Sequence, residues 1–249
     1  MARPIKFVAA GDIHGDEADP IALKCLYNFM RDYKPDLTVC IGDVWDFRAI
    51  RKNASADYEE SQSMEEDWDA GKDFFKKFFS FGQERVFLRG NHDERIYDLL
   101  GNAGSGLKRD YASQGTAEIE DLVKKHRVQM FPYDSKQGVY KCGSLSFVHG
   151  YGHNIHGSKQ HADTYGNVLF GHTHAIDYFR SVSIDVRECW NIGCLSSLNP
   201  SYNRNQMRRL RWQHGWAFGL IHGDGTHEVY QAKERNRKYI IPTNIKIYS

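Results

Sequence analysis

The sequence repeats one pattern, an apolar run that ends in small residues and is followed at once by Asp, His or Asn. The run 37–41 indicates a buried strand, and Gly42 and Asp43 follow it directly. Ligand sites of α/β proteins lie at the carboxyl ends of such strands. One Gly-Asp pair would be weak evidence, because it also begins many ordinary turns. Five predicted strand ends share the pattern, and they carry Asp12 and His14, Asp43 and Asp46, Asn91 and His92, His149, and His172 and His174.

Strands and helices alternate in the first third of the chain. We predict strands at 5–10, 37–41 and 85–88, with a helix over 20–33 that Asp19 caps and a second helix over 58–81. This alternation predicts a parallel sheet with right-handed crossovers. The stretch 57–73 carries eight acidic side chains and one Lys, and we interpret its acidic face as solvated surface.

The rest of the chain is mostly strand-like. Residues 99–111 are rich in Gly and are predicted to form a surface loop, with a helix over 117–126 after it. A strand-rich half that follows a βαβ half indicates a second sheet packed on the first, with helices outside. No linker separates the halves, so we expect one domain over 1–249. The predicted strands are 128–131, 138–140, 145–148, 168–170, 181–186, 190–192, 216–221 and 227–230.

Composition sets the class of protein. Hydrophobic residues make up 41% and charged residues 26%, which is ordinary for a globular protein, and the net charge of +1 provides no global attraction to nucleic acid or membrane. The chain has no apolar run near ~18 residues and no signal-peptide pattern, so we expect a cytoplasmic protein without a membrane partner. Five cysteines without Cys-x-x-Cys spacing indicate reduced thiols. The sequence does not indicate an oligomeric state.

The residue types at the strand ends indicate a pair of metal ions. Asp12 and His14 share a tight loop and can reach one ion, whereas the His-x-His at 172–174 can direct two imidazoles at two ions. Asp43 can bridge them, and Asn91 can serve as a neutral ligand. Such donors suit Mn²⁺, which we expect first, or Fe, Zn²⁺, Ni²⁺ or Mg²⁺, better than Ca²⁺. Two ions about 4 Å apart can hold a hydroxide and stabilise in-line displacement at phosphorus.

Histidines outside these motifs have a simpler interpretation. A lone His is usually a surface residue or a core residue with its hydrogen bonds satisfied. We expect this of His126, His214, His222 and His227. The same expectation applies to His153, His156 and His161, although they follow His149 closely enough to line a cleft.

Taken together, the motifs resemble those of the calcineurin-like metallophosphoesterase family. The resemblance runs from residue 7 to residue 174, about two-thirds of the chain. It implies an α/β fold, a four-layer αββα sandwich of two mixed sheets flanked by helices, with a dinuclear metal site at the carboxyl ends of the strands. The matching segments are Asp12-Ile13-His14, Gly42-Asp43-Val44-Trp45-Asp46, Gly90-Asn91-His92-Asp93, His149-Gly150 and Gly171-His172-Thr173-His174.

The resemblance also implies a role for each motif residue. His92 is similar to the family's catalytic His, which contacts the phosphate or protonates the leaving group, with Asp93 behind it. Asp46 would orient a metal ligand or His92. By motif position, Asp12, His14 and His174 hold the first metal, Asp43 bridges, and Asn91, His149 and His172 complete the second.

One departure bears on the substrate. Many protein phosphatases of this family carry Arg directly after the second Asp of Gly-Asp-x-x-Asp, where this chain has Phe47 followed by Arg48. The departure disfavours a phosphoprotein phosphatase. The length and the spacing from His149 to the His-x-His motif resemble small bacterial or phage phosphoesterases and the nuclease branch.

We therefore predict a hydrolase, a metal-dependent phosphoesterase in which metal-bound hydroxide attacks phosphorus. A phosphodiesterase or nuclease acting on nucleotides or DNA is preferred. A small-molecule or nucleotide phosphomonoesterase stays open. A third possibility, from another class, is a catalytically silent metal-binding scaffold, although all seven candidate ligands and His92 are present.

The stretch 203–216 interleaves four arginines with Trp212 and Trp216. Guanidinium groups can bind phosphates and indoles can stack on bases, so the stretch suits single-stranded DNA or nucleotides. The alternative is that both tryptophans belong to the core and the arginines to a solvated loop. We take Arg48, Arg208 and Arg209 as candidate substrate-binding residues.

Overall fold

A computed structural model of the chain describes residues 3–51, 64–152, 156–199, 210–239 and 241. The described residues contain five α-helices and twelve strands. Among them, no helix is long and apolar enough to cross a membrane. The strands are β1 Ile5–Ala10, β2 Leu37–Cys40, β3 Glu84–Leu88, β4 Gln129–Phe131, β5 Val139–Cys142, β6 Leu145–Val148, β7 Asn167–Phe170, β8 Ile176–Arg180, β9 Glu188–Ile192, β10 Gly215–Ile221, β11 His227–Arg235 and β12 Lys238–Tyr239. The helices are α1 Pro20–Tyr33, α2 Met64–Phe78, α3 Glu94–Asn102, α4 Gly106–Lys125 and α5 Gly157–Tyr165.

The strands form two mixed sheets. The seven-stranded sheet has the order β12-β11-β10-β1-β2-β3-β4, and the five-stranded sheet has the order β5-β6-β7-β9-β8. The strands β1, β2, β3 and β4 run parallel to one another, whereas β10 pairs antiparallel with β1. In the smaller sheet β6, β7 and β9 are parallel.

Alternation along the strands separates three apolar layers. Phe7 and Ala9 of β1 pack with Phe147 and Leu169 of the smaller sheet, so this face of β1 lies between the sheets. Val8, on the other face, packs with residues of α1 and α2. A third cluster joins α5 to the outer face of the smaller sheet. The order helix, sheet, sheet, helix confirms the predicted four-layer α/β fold.

Helix α1 begins and ends where its sequence signals predict. The Asp19 carboxylate accepts hydrogen bonds from the amides of Ile21 and Ala22, and Pro20 occupies the first helical turn. Lys34 adopts a left-handed conformation and its amide donates to the carbonyl of Met30, which closes the helix. Residues 58–63 of the predicted second helix lie outside the described residues, and α2 is described over Met64–Phe78.

Two predictions about local structure are wrong. Residues 99–111 are not a loop, because α3 and α4 cover most of them, and the Ser105 side chain caps α4 by accepting from the amide of Lys108. The buried side chains of Ile96 and Ile119 pack these helices onto the core despite the glycines. The predicted strand 181–186 is a turn in which Val182 and Ile184 are fully exposed, and the strand before it is β8. Helix α5 was not predicted.

Candidate functional site

Five strands deliver the candidate side chains to one place. Asp12, Asp43 and Asn91 follow β1, β2 and β3, which are adjacent and parallel. His149 and His172 follow β6 and β7, which are adjacent and parallel in the second sheet. Because the sheets pack against each other, the five carboxyl ends form a single edge of the sandwich.

The loops at this edge are tied together through their backbones. The amide of Asp12 donates to the carbonyl of Gly42 at 2.9 Å, and the amide of His14 donates to the carbonyl of Asp43 at 3.1 Å. The amide of His172 donates to the Asp12 carboxylate at 3.1 Å, which joins the two sheets. These bonds hold the site residues in place through the fold itself.

The backbone at the site adopts an unusual conformation. A positive φ is uncommon for residues other than Gly and concentrates at functional sites. Five of the candidate metal ligands have positive φ angles: Asp12 (52°), His14 (53°), Asp43 (49°), His172 (64°) and His174 (58°). The left-handed turns aim these side chains inward at a cost in backbone energy that the surrounding structure must offset.

The first group consists of Asp12, His14 and His174, whose ligand atoms all lie within 4.8 Å of one another. The Nε2 atoms of His14 and His174 are 3.0 Å apart, and Nε2 of His174 is 3.5 Å from Oδ1 of Asp12. All three side chains are buried. One cation can contact all three donors.

The second group consists of Asp43, His149 and His172, and again its ligand atoms lie within 4.8 Å of one another. Nδ1 of His172 is 3.3 Å from Nε2 of His149. The Asn91 Oδ1 atom lies 2.8 Å from Nδ1 of His172 and 3.1 Å from Nε2 of His149, so the amide oxygen lies beside this group.

Asp43 lies between the two groups. Its Oδ2 atom is 3.8 Å from Nε2 of His14 in the first group and 3.4 Å from Nε2 of His149 in the second. Its Oδ1 atom accepts a hydrogen bond from the amide of His92 at 2.8 Å. A single carboxylate oxygen therefore faces both groups, which is the placement a bridging ligand requires.

The donor set fits divalent cations. Nδ1 of His149 donates to the carbonyl of Ile41 at 2.6 Å, so Nε2 is the ring atom directed at the site. Nδ1 of His14 faces Oδ1 of Asp46 at 3.4 Å, which has the same effect on that ring. Imidazole nitrogens directed at one another and at carboxylates suit Mn²⁺, Fe, Zn²⁺ or Ni²⁺.

A family model described as "Calcineurin-like phosphoesterase" matches residues 5–176. The chain belongs to this family. The match contains all seven candidate ligands and His92. No curated protein sequence matches the chain.

The chain is also similar to solved structures of several proteins. A metallophosphoesterase from Sphaerobacter thermophilus is 13% identical, with 94% of this chain and 89% of that chain covered and a TM-score of 0.49. An archaeal phosphodiesterase is 11% identical, with 92% and 100% covered and a TM-score of 0.45. Vacuolar protein sorting 29 from Cryptosporidium parvum is 12% identical, with 94% and 99% covered and a TM-score of 0.47.

The charge distribution at the site favours bound cations. Burial lowers the pKa of His14, but the hydrogen bond to Asp46 and the nearby carboxylates outweigh it and raise the pKa to about 9. Burial likewise lowers the pKa of His149, and the Asp43 charge raises it to about 9. Burial raises the pKa of Asp43, yet the imidazoles of His149 and His92 hold it well below its usual range. The carboxylates thus give the pocket a negative potential that attracts cations.

His92 contacts Asp46 through one ring nitrogen and Arg95 through the other. Nδ1 is hydrogen-bonded to Oδ1 of Asp46, and Nε2 lies 3.1 Å from Nη2 of Arg95. Burial lowers the pKa of His92 to about 4, and the positive charge of Arg95 adds to this effect against the charge of Asp43. The ring is therefore neutral at pH 7 in the substrate-free protein, and its Nδ1–H donates to Asp46.

The structure places Asp93 away from the position predicted for it. We expected Asp93 behind His92, but its Oδ1 accepts from the amides of Val44 and Trp45 at 2.9 and 3.1 Å. Its Oδ2 accepts from the amide of Gly90 at 2.8 Å. The side chain that supports the ring of His92 is Asp46. Asp93 directly precedes α3, and its carboxylate holds the loop that carries Asp43.

Arg48 is also placed differently from a substrate-binding residue. Its Nε donates to Oδ2 of Asp46 at 2.7 Å, and its terminal nitrogens donate to the Asp16 carboxylate at 2.5 and 3.2 Å. The side chain is 7% exposed. A guanidinium held by two carboxylates orients Asp46, and we do not retain it as a substrate ligand. The other two predicted substrate-binding residues, Arg208 and Arg209, lie outside the described residues.

Two residues at the site escaped the sequence prediction, Asp67 and Arg95. Asp67 belongs to the acidic stretch assigned to solvent, yet it is 2% exposed and accepts from the amides of Asp46 and Phe47 at 2.9 and 2.7 Å. It is adjacent to Trp68 and four residues before Gly71 on the buried stripe of α2, a spacing that could have identified it.

Residues expected to be structural behave in that way. Nε2 of His214 donates to the carbonyl of Ser196 at 2.9 Å, and Nδ1 of His161 donates to the carbonyl of Gly157 at 2.7 Å. Both rings are buried. Trp216 is fully buried, in agreement with the alternative that it belongs to the core. Trp212 is half-buried, and its ring lies 4.4 Å from that of His174. His153 lies outside the described residues.

Proposed function

We propose that this chain is a dinuclear metal-dependent phosphoesterase with a preference for phosphodiesters of nucleotides or DNA. The observation that carries the proposal is the position of Asp43 Oδ2, 3.8 Å from His14 Nε2 and 3.4 Å from His149 Nε2. Asp12, His14 and His174 would hold one ion, Asn91, His149 and His172 the other, and Asp43 both. The ions, when bound, supply Lewis acidity to the phosphoryl oxygens and activate the attacking water.

In this mechanism His92 assists the leaving group. Water loses a proton to solvent as its oxygen bonds to phosphorus, and the ester P–O bond breaks. His92, doubly protonated in the substrate complex, transfers a proton from Nε2 to the departing alkoxide and takes another from solvent afterwards. Asp46 keeps a proton on Nδ1 and stabilises the doubly protonated ring. A bound phosphate brings negative charge next to His92, which raises its pKa from the low value of the substrate-free protein.

Two aromatic rings support a nucleotide substrate. The Trp212 ring lies 4.4 Å from that of His174, and the Tyr133 ring lies 5.6 Å from that of His149. Both residues are half-buried, and each stands beside a different metal group. Base-on-aromatic stacking contributes about 1–3 kcal/mol per base, so rings in these positions favour substrates with nucleobases. The position of His92 beside the candidate ligands, 3.9 Å from Asp43 Oδ2, disfavours the catalytically silent scaffold.

A substrate panel tests the proposal. Protein stripped with EDTA and reloaded with Mn²⁺ is assayed on bis-p-nitrophenyl phosphate, p-nitrophenyl phosphate, dinucleotides and single-stranded DNA. We expect turnover only with metal and higher kcat/KM for the diesters that carry bases. Full turnover in stripped protein would refute the metal mechanism, and turnover confined to monoesters would refute the preference for diesters.

A further inference from the structure

Arg95 reaches the His92–Asp46 pair from the first turn of α3. Its Nη1 atom donates to the carbonyl of Asp46 at 2.6 Å, and its Nη2 atom lies 3.1 Å from Nε2 of His92. The side chain is only 15% exposed. A guanidinium can only donate, so the imidazole nitrogen is the acceptor.

The backbone fixes where this guanidinium stands. The amide of Glu94 donates to the carbonyl of Gly90 at 3.0 Å, and that of Arg95 donates to the carbonyl of His92 at 3.1 Å. The turn that presents His92 therefore also presents Arg95, three residues later on the helix. With Nη1 anchored on the Asp46 loop, the planar fork directs Nη2 to the cleft side of the imidazole.

That position lies next to the path of the phosphoryl group. Nε2 of His92 is 3.9 Å from Oδ2 of Asp43, the oxygen that faces both metal groups. Asp43 would hold both ions, so a phosphorus atom whose ester oxygen is protonated from Nε2 would lie near this gap. A donor 3.1 Å from Nε2 is then within hydrogen-bonding reach of an oxygen on that phosphorus.

Other nearby arginines are directed elsewhere. Arg48 donates to Asp16 and Asp46. Nε of Arg89 lies 3.2 Å from Glu94, and its guanidinium stacks on the ring of Tyr97 at 3.8 Å. Arg95 is the arginine that the described residues place against His92.

We propose that Arg95 is a substrate-positioning residue that donates to a non-bridging oxygen of the phosphoryl group. This proposal rests on the proposed phosphoesterase function and identifies a contact of the same site. Substrate binding exchanges the Nη2 contact with His92 for one with the phosphate, while the Nη1 contact with Asp46 keeps the guanidinium in place. The exchange also leaves Nε2 of His92 facing the ester oxygen.

The test measures binding of inorganic phosphate to the Mn²⁺-loaded protein by calorimetry, which needs no turnover. The variants are Arg95→Met and Arg95→Lys, with Arg89→Met as the matched control. Arg89 is 12% exposed, and it supports the same helix through its contacts with Glu94 and Tyr97. A lost charge-assisted hydrogen bond corresponds to a dissociation constant for phosphate about 10- to 100-fold higher in Arg95→Met. We expect Arg95→Lys to retain part of the affinity and Arg89→Met all of it.

Two further measurements distinguish a substrate-positioning role of Arg95 from structural support: the Mn²⁺ content of the variants, and phosphate binding when Arg95→Met is combined with His92→Ala. We expect Arg95→Met to keep both ions and to weaken phosphate binding in the His92→Ala protein as well. Unchanged phosphate affinity, or an effect that disappears in that background, would overturn the proposal. If Arg95→Met does not fold, the same comparison with Arg95→Lys decides. Phosphate binding that depends on Arg95 in a protein without turnover of any ester would support Arg95 and refute the proposed function.

Discussion

At the scale of single residues, the contacts of Asp46 and Arg95 determine the orientation of the His92 ring. Asp46 holds Nδ1 and Arg95 faces Nε2, so the ring has one fixed orientation and one nitrogen directed at the cleft. Asp46 is itself held by Arg48, whose Nε donates to it at 2.7 Å. This chain of contacts positions His92 without requiring it to bind metal.

Replacing His92 with Ala should leave both ions bound and lower kcat by about 10²–10⁴-fold, as for other general acid–base groups. A nitrophenolate leaves without protonation, so the loss should be smaller for nitrophenyl esters than for alkyl esters. Steady-state kinetics and metal analysis check both statements. The control is His222→Ala, which removes an imidazole paired with Glu228 at 3.1 Å. Equal losses for both classes of ester would assign His92 to phosphate contact instead of proton transfer.

At the scale of elements, two carboxylates from helical segments shape the loop after β2. Asp93 accepts from the amides of residues 44 and 45, and Asp67 of α2 accepts from those of 46 and 47. Four successive amides are thereby satisfied in a segment that is neither helix nor strand. The helices thus determine the geometry of Asp43 and Asp46 as much as β2 does.

The buried carboxyl of Asp67 should make folding stability depend on pH. Burial raises its pKa from 3.8 to about 6, so the folded state retains this proton after the unfolded chain has released it. The stability that this group contributes is therefore greatest below about pH 4 and falls as pH rises to about 6. A shift from 3.8 to about 6 corresponds to about 3 kcal/mol.

Urea denaturation measures this contribution. Metal-free wild type and Asp67→Asn are compared at several pH values between 3.5 and 7. The free-energy difference between wild type and variant should change by about 3 kcal/mol across the window, with wild type losing stability as pH rises. Asp69→Asn, with an exposed carboxylate on the same helix, is the control. A difference that is constant with pH would show that Asp67 is ionised throughout.

At the scale of the whole molecule, the candidate ligands come from both sheets. Asp12 and Asp43 follow strands of the larger sheet, and His149 and His172 follow strands of the smaller one. Cations bound here would link the two sheets. Binding to the folded state alone adds RT ln(1 + [L]/Kd), about 2.7 kcal/mol at a hundredfold excess over Kd.

Mn²⁺ should therefore raise the melting temperature in proportion to the logarithm of its concentration, and EDTA should reverse the change. Ca²⁺ should have a smaller effect because the donor set is rich in imidazole. Scanning calorimetry at several metal concentrations measures the shifts. Identical melting temperatures in Mn²⁺ and EDTA would show that no ion joins the sheets.

Much of this architecture could be predicted from the sequence, and the failures have physical reasons. The strand-end motifs identify residues that the fold brings together, because carboxyl ends of parallel strands meet at one edge. Glycines at 101, 104 and 106 suggested a loop, but the buried side chains of Ile96 and Ile119 determine the helices there. The alternating apolar residues of 181–186 matched a strand, but they form the exposed turn between β8 and β9.

The contacts of charged side chains could not be predicted from the sequence. Asp67 and Asp69 both lie in the acidic stretch, but only the packing of α2 shows that Asp67 enters the core while Asp69 is exposed. The sequence prediction selected Arg48, and not Arg95, as a substrate ligand. The different contacts of Arg48 and Arg95 depend on where the fold places Asp16 and His92, which no local sequence pattern specifies.

Metal stoichiometry of two variants tests the central claim, that one carboxylate serves two ions. Asp43 Oδ2 faces both groups, whereas His14 belongs to the first. Mn²⁺-reconstituted wild type, Asp43→Asn, His14→Ala and the control Asp36→Asn are dialysed together and analysed by mass spectrometry of metals. The half-buried carboxylate of Asp36 binds Arg3. We predict near-complete retention in wild type and Asp36→Asn, loss of about one ion in His14→Ala, and loss of both in Asp43→Asn. Equal losses in Asp43→Asn and His14→Ala would contradict the bridging role and the dinuclear site built on it.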